Sequence, residues 1–79
     1  MKTNDIKKGQ RVTLRNGWNG TMMDNRKGNT RLVEVEGVYT EIGSVYAHDI
    51  VIAQSADGTY EPVEHTPAQL KLRETVAGW

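Results

Sequence analysis

Thr30-Arg31-Leu32-Val33-Glu34-Val35-Glu36 is the stretch that decides the fold. Val33 and Val35 share one parity, and Glu34 and Glu36 share the other. This period of two belongs to a strand with one face in a core and one face in water. Gly37 ends the run. Two like charges side by side on one strand face repel unless a basic group sits opposite, and Arg11 and Arg15 are the simplest candidates for that partner.

Upstream, Val12 and Leu14 alternate with Arg11, Thr13 and Arg15, so a second strand opens after Gly9 and closes at Asn16-Gly17. Asn-Gly is a strong short-hairpin signal because both residues tolerate positive φ. A strand through Thr21, Met22 and Met23 then follows Gly20, and Asn25-Arg26-Lys27-Gly28-Asn29 reads as a polar turn. Downstream, Val38 to Ile42 is mixed and Gly43-Ser44 breaks it. Val45-Tyr46 begins a short strand, Ala47-His48-Asp49 forms one helical turn capped by Asp49, and Ile50 to Ala53 is a last strand. Five short strands bounded by Gly or Asn within about 45 residues predict a small antiparallel barrel.

The remaining chain divides in two. Residues 54–65 are poor in apolar side chains and read as a loop or arm, with Ala56-Asp57-Gly58 as a turn. Residues 66–79 read as an amphipathic helix. Thr66 is its N-cap, Pro67 its first helical residue and Gln69 the third residue of a capping box. Ala68, Leu72, Val76 and Trp79 share its apolar side. So short a helix needs a surface to dock on, either its own barrel or a second subunit. The fold class is therefore all-β, a small five-stranded barrel over residues 1–53 followed by a short C-terminal α-helix.

Composition bounds the function. Seventy-nine residues, 37% hydrophobic and free of cysteine, allow one small core and exclude a disulfide scaffold and a Cys-based zinc site. The longest apolar run is Ile50 to Ala53, far short of the roughly 20 residues of a membrane span. Residues Met1 to Asp5 offer no apolar stretch for a signal peptide, so no membrane partner and a cytoplasmic location are expected. Domains of this size are marginal, and a second copy is one way to enlarge the core.

The formal net charge is zero, yet residues 1–33 hold eight Lys/Arg against two Asp/Glu, and residues 34–79 hold two against eight. Such asymmetry points to an anionic partner or to pairing of the two halves. The basic group is Lys7, Lys8, Arg11, Arg15, Arg26, Lys27 and Arg31, interleaved with Trp18 and Tyr46. On one barrel face these residues would neutralise phosphates and stack bases, making nucleic acid the expected partner. The alternative is a protein partner, bound in an aromatic groove lined by Tyr39 and Tyr46 and by the terminal helix. Trp18 is either an exposed binding residue or a buried cap of the barrel. His48 and His65 lack the spaced carboxylates of a zinc site. No nucleophile elbow or phosphate loop is present, so no catalytic residue, metal or cofactor is expected.

Gly9-Gln10-Arg11-Val12, Asn16-Gly17-Trp18-Asn19-Gly20 and Gly43-Ser44-Val45-Tyr46-Ala47-His48-Asp49-Ile50 together resemble the SH3-like small-barrel families, including KOW-type domains, over residues 6–53. The resemblance implies a five-stranded barrel with a helical turn before its last strand. The same region is similar to the plasmid-encoded type II dihydrofolate reductases in Gly9-x-Arg11-Val12, Trp18-x-Gly20 and Gly43-Ser44-Val45. That family's Val-Gln-Ile-Tyr is replaced by Val45-Tyr46-Ala47-His48, so only Val45 transfers and the folate and nicotinamide contacts do not. A diverged reductase is the enzyme alternative, and a non-catalytic phage or plasmid accessory protein is what the resemblance suggests.

Overall fold

Alternation of apolar and polar side chains builds most of this molecule. The computed structural model describes residues 1–24 and 30–75. The strands are β1 (Arg11–Leu14), β2 (Asn19–Asp24), β3 (Thr30–Glu36), β4 (Thr40–Tyr46), β5 (Ile50–Gln54) and β6 (Tyr60–Pro62). The helix α1 covers Pro67–Thr75, and 3-10 turns occupy Thr3–Asp5 and Ala47–Asp49. All strand pairs are antiparallel, in the order β4-β3-β2-β1-β5-β6. The expected five strands are thus six. Among the described residues no ladder joins β4 to β6, so the sheet is open where a closed barrel was expected.

The concave side of the sheet holds the core. Val12, Leu14, Met22, Val33, Val35, Val45, Ile50 and Ala53 point inward, joined by Ile6 and Val63. Cross-strand pairs share a face, so Val12 lies opposite Gly20 and Gly20 opposite Val35 on the inner side. The outer side carries the row Arg11, Thr21, Glu34 and Ile42. Residues 1–6 cross the end of the sheet. The Met1 amine donates to the Pro62 carbonyl, the Glu64 amide donates to the Met1 carbonyl, and Lys2 bridges Glu64 in parallel.

Three local expectations are sharpened or corrected. First, the Asn16-Gly17 hairpin forms as expected but with a three-residue loop in which only Gly17 uses positive φ. Among the described residues no non-glycine takes positive φ, whereas Gly17 does (φ 92). Its amide closes a turn on the Leu14 carbonyl at 2.9 Å, and the Leu14 amide bonds the Trp18 carbonyl at 2.7 Å. This is a type I turn followed by a left-handed glycine, which spares Asn16 the strained conformation. Second, Gly43-Ser44 does not interrupt β4. Both residues stay in regular pairing with Val33 and Leu32, because the ladder to β3 outweighs their weak strand propensity. Third, residues 54–65 are no arm: the turn expected at Ala56-Asp57-Gly58 forms, again with a left-handed glycine, and returns the chain as β6. Pro62 is tolerated there because β6 is an edge.

The capping box of α1 forms in both directions. The Gln69 amide donates to Thr66 Oγ1 at 3.2 Å, and the Thr66 amide donates to Gln69 Oε1 at 2.9 Å. The helix packs on the 3-10 turn Ala47–Asp49. Gln69 and Leu72 are the half-buried positions while Ala68 is exposed, so the docking side is rotated from the expected Ala68–Leu72 line; Val76 and Trp79 lie outside the described residues.

Candidate functional site

The basic residues come from different places in this sheet. Lys7 and Lys8 are exposed in the turn before β1, which the Gly9 amide ties to the Met22 carbonyl. Arg11 lies on the outer face. It donates to Thr21 Oγ1 at 2.9 Å and grips Glu36 with both terminal nitrogens, Nη2 to Oε1 at 2.9 Å and Nη1 to Oε2. This bond holds the Glu36 carboxyl below its ordinary range and raises Arg11 above its own. The basic partner expected opposite Glu34 and Glu36 is therefore Arg11.

Arg15 goes elsewhere. It lies just beyond the other end of β1, with its Nε 3.4 Å from Asp49 Oδ1 and its amide bonded to the Asp49 carbonyl at 2.7 Å. Arg31 has inner-face parity and is only 2% exposed, where Nη2 donates to Asn4 Oδ1 at 2.6 Å and Nη1 to the Thr30 carbonyl at 2.9 Å. Burial pushes its pKa down. Arg26 and Lys27 lie outside the described residues. The five described members of the expected basic group therefore do not share a face: Arg11 is outside, Arg31 inside, and Lys7-Lys8 and Arg15 mark opposite ends of β1.

Tyr46 is half-buried and stacks on the His48 ring, with centroids 5.1 Å apart and planes 7° apart. Tyr39 sits beyond the far end of β4, about 20 Å away at roughly 3.3 Å per strand residue, so the two tyrosines do not line one groove. His48 and Asp49 are both 0% exposed, and Asp49 makes no side-chain cap bond to its turn, contrary to expectation. Neither ring nitrogen of His48 and neither carboxylate oxygen of Asp49 has a hydrogen-bond partner among the described residues. His48 Nε2 is 3.6 Å from Asp49 Oδ1. Burial pushes the His48 pKa down; Asp49 opposes that shift, while Arg15, His65 and Arg73 add to it. Both residues are buried in the 3-10 turn under α1, and Asp49 ties that turn to the end of β1 through Arg15. Nearby, His65 Nε2 lies 2.9 Å from the Ile50 carbonyl.

The distinctive exposed surface surrounds the hairpin between β3 and β4. Trp18 is 43% exposed, Val38 82%, Tyr39 79% and Ile42 54%. Trp18 lies on Gly37: a Cβ there would fall 2.5, 2.7 and 2.9 Å from its Cζ3, Cε3 and Cη2 atoms. A side chain at position 37 would displace the ring, so the glycine sets the angle at which Trp18 meets solvent. Trp18 thus falls between the two expectations, half cap and half surface. Sequence reading took Val38 to Ile42 only as a mixed stretch. The available signal was a Val-Tyr pair directly after Gly37 with no alternating polar partner to bury it.

A pocket of about 210 Å³ between the N-terminal segment and the start of α1 is lined by Lys2, Glu64, His65, Thr66 and Pro67, apart from the hairpin surface. Among the described residues no three His, Asp or Glu side chains converge as metal ligands, and no helix is long and apolar enough to cross a membrane. Comparison with protein-family models, with curated proteins and with solved structures finds no match to this chain.

Proposed function

We propose that this chain is a non-catalytic protein-binding module built on an SH3-like small barrel. Support for the fold reading comes from the five antiparallel strands β1 to β5 and the 3-10 turn between β4 and β5, which match the strand number and helical turn that the resemblance at residues 6–53 implies. The observation that carries the function is the exposure of Val38 and Tyr39 in the β3–β4 hairpin, with Trp18 seated on Gly37 beside them and Ile42 exposed further along β4. Apolar and aromatic side chains held on a rigid sheet, with Gly37 setting the tryptophan, are what a protein interface uses as anchors.

The nucleic-acid reading loses support from the same geometry. Arg11 is neutralised by Glu36, Arg15 faces Asp49 and Arg31 is buried, so of the five described residues expected to form a basic face only Lys7 and Lys8 face solvent without an acidic partner. Among the described residues of the expected basic face, two lysines are fewer phosphate contacts than the roughly six to ten that give nucleic-acid binders their steep salt dependence. The test has two arms: display selection of random peptides on the folded chain, and titration of single- and double-stranded oligonucleotides at low salt. Selected peptides that lose binding with Tyr39→Ala, together with no oligonucleotide binding, are the expected result. Oligonucleotide binding that weakens steeply with salt and is lost in Lys7→Ala/Lys8→Ala overturns the proposal.

A further inference from the structure

The two edges of the sheet are built differently. β6 is three residues long, ends in Pro62, and is backed by the N-terminus through Met1 and Lys2. Short length, proline and a covering segment are the usual protections of an edge against pairing with another chain. β4 has none of them. It runs seven residues, pairs with β3 from Thr40 to Tyr46 without a bulge, contains no proline or lysine, and bears one charge, Glu41. Among the described residues no strand pairs its outer side. Its backbone groups on that side form a ready ladder.

We propose that the occupant of this edge is a second copy of the chain, joined β4 to β4 in antiparallel fashion about a two-fold axis through Ile42. Self-complementarity of the strand selects this occupant and this register. Residues opposite each other in an antiparallel ladder share a face, so a two-fold axis perpendicular to the sheet must pass through a residue. An axis at Glu41 sets two glutamates opposite each other, a like-charge contact. An axis at Gly43 sets each Ile42 against a serine and places no side chain at the centre. An axis at Ile42 pairs the two isoleucines on the outer face and Thr40 with Ser44. It also sets Glu41 against a glycine, so the one charge on the strand meets no like charge. The same register carries Val38 toward Tyr46 and Tyr39 toward Val45 of the second copy, covering the two most exposed apolar side chains. With a formal net charge of zero, two copies meet without overall repulsion.

This inference goes beyond the protein-binding reading and shares its surface, since the dimer covers Val38, Tyr39 and Ile42; self-pairing and capture of a foreign partner are therefore competing outcomes of one test. Sedimentation of the full chain from micromolar to near-millimolar concentration is expected to show a monomer–dimer equilibrium. Ile42→Lys and Ile42→Glu each place like charges together at the axis, and each is expected to weaken the dimer by about tenfold or more. Because position 42 faces position 42, mixing the two variants is expected to restore a one-to-one heterodimer. Melting is compared at low micromolar concentration, where the wild type is monomeric: Ile42→Lys is expected to keep the wild-type curve and Ile42→Glu, opposite Glu34, to fall by a few degrees at most, which separates lost pairing from lost folding. A wild type that stays monomeric, variants that still dimerise, or a mixture that does not pair overturns the proposal. A monomer that nevertheless captures selected peptides along β4 assigns the edge to a foreign strand, and that also overturns self-pairing while leaving the protein-binding reading intact.

Discussion

Replacing Arg15 by methionine removes the guanidinium beside Asp49 while keeping the apolar stem and the amide bond to the Asp49 carbonyl. Asp49 is fully buried, and neither carboxylate oxygen has a hydrogen-bond partner among the described residues. At 3.4 Å and an effective dielectric of about 20, the gross attraction of two unit charges is about 5 kcal/mol. Desolvation of the carboxylate offsets part of it. Stranding one partner of a fully buried pair costs about 3–5 kcal/mol. The Arg15 side chain is 31% exposed, and solvent screening lowers the expected loss to about 2 kcal/mol. For a domain of this size that corresponds to a fall of roughly 10 °C in melting temperature. Thermal and urea unfolding followed by circular dichroism measure it. Asp49→Asn on the Arg15→Met background is expected to recover part of the loss, because the stranded charge is then gone and coupled neighbours are non-additive by about 0.5–3 kcal/mol. An Arg15→Met melting curve that overlays the wild type, or a double variant whose loss equals the sum of the single losses, refutes the reasoning and returns Arg15 to the surface as a free cation.

Two further outcomes follow from particular contacts. Gly37→Ala forces the half-exposed Trp18 ring to swing aside and is expected to cost less than about 1 kcal/mol, with a shift in tryptophan emission read on a Trp79→Phe background; unchanged emission would mean that the ring does not rest on Gly37. His48 has a folded pKa below its unfolded value of about 6.5, so the unfolded chain takes up the proton first. Stability is full above that value and declines as pH falls from it toward the lower folded pKa. The melting temperature is expected to drop between about pH 7.5 and about 5.5, by less in His48→Gln. An equal drop in both proteins would assign the slope to other groups.

Strand existence was readable wherever apolar and polar side chains alternate. Val12 and Leu14 in β1, and Val33 and Val35 in β3, face inward as their spacing requires, and the Thr66–Gln69 capping box is pure local chemistry. What escaped was set by tertiary partners. Gly43 and Ser44 read as a break because their propensity is local, whereas β3 supplies the ladder that keeps them extended. β6 has too few apolar residues to announce itself and exists because β5 and the N-terminal segment receive it. Charge was the most misleading signal. A count of side chains cannot separate Arg11 on the outer face from Arg31 on the inner one, since the two differ only in strand parity. Nor does it reveal that Arg15 reaches Asp49, 34 positions further along the chain. The hairpin surface was missed for the converse reason: Val38 and Ile42 look like core residues until the open edge of β4 leaves them outside.

Whether Trp18, Val38, Tyr39 and Ile42 form the working surface is decided most directly by amide chemical-shift mapping of the labelled chain with a peptide taken from display selection. The expected pattern is a set of perturbations confined to Trp18, the Gly37–Tyr39 hairpin and β4, with Lys7 and Lys8 unmoved. Perturbations centred on Lys7, Lys8 and the neighbouring end of β2, with the hairpin silent, would contradict it.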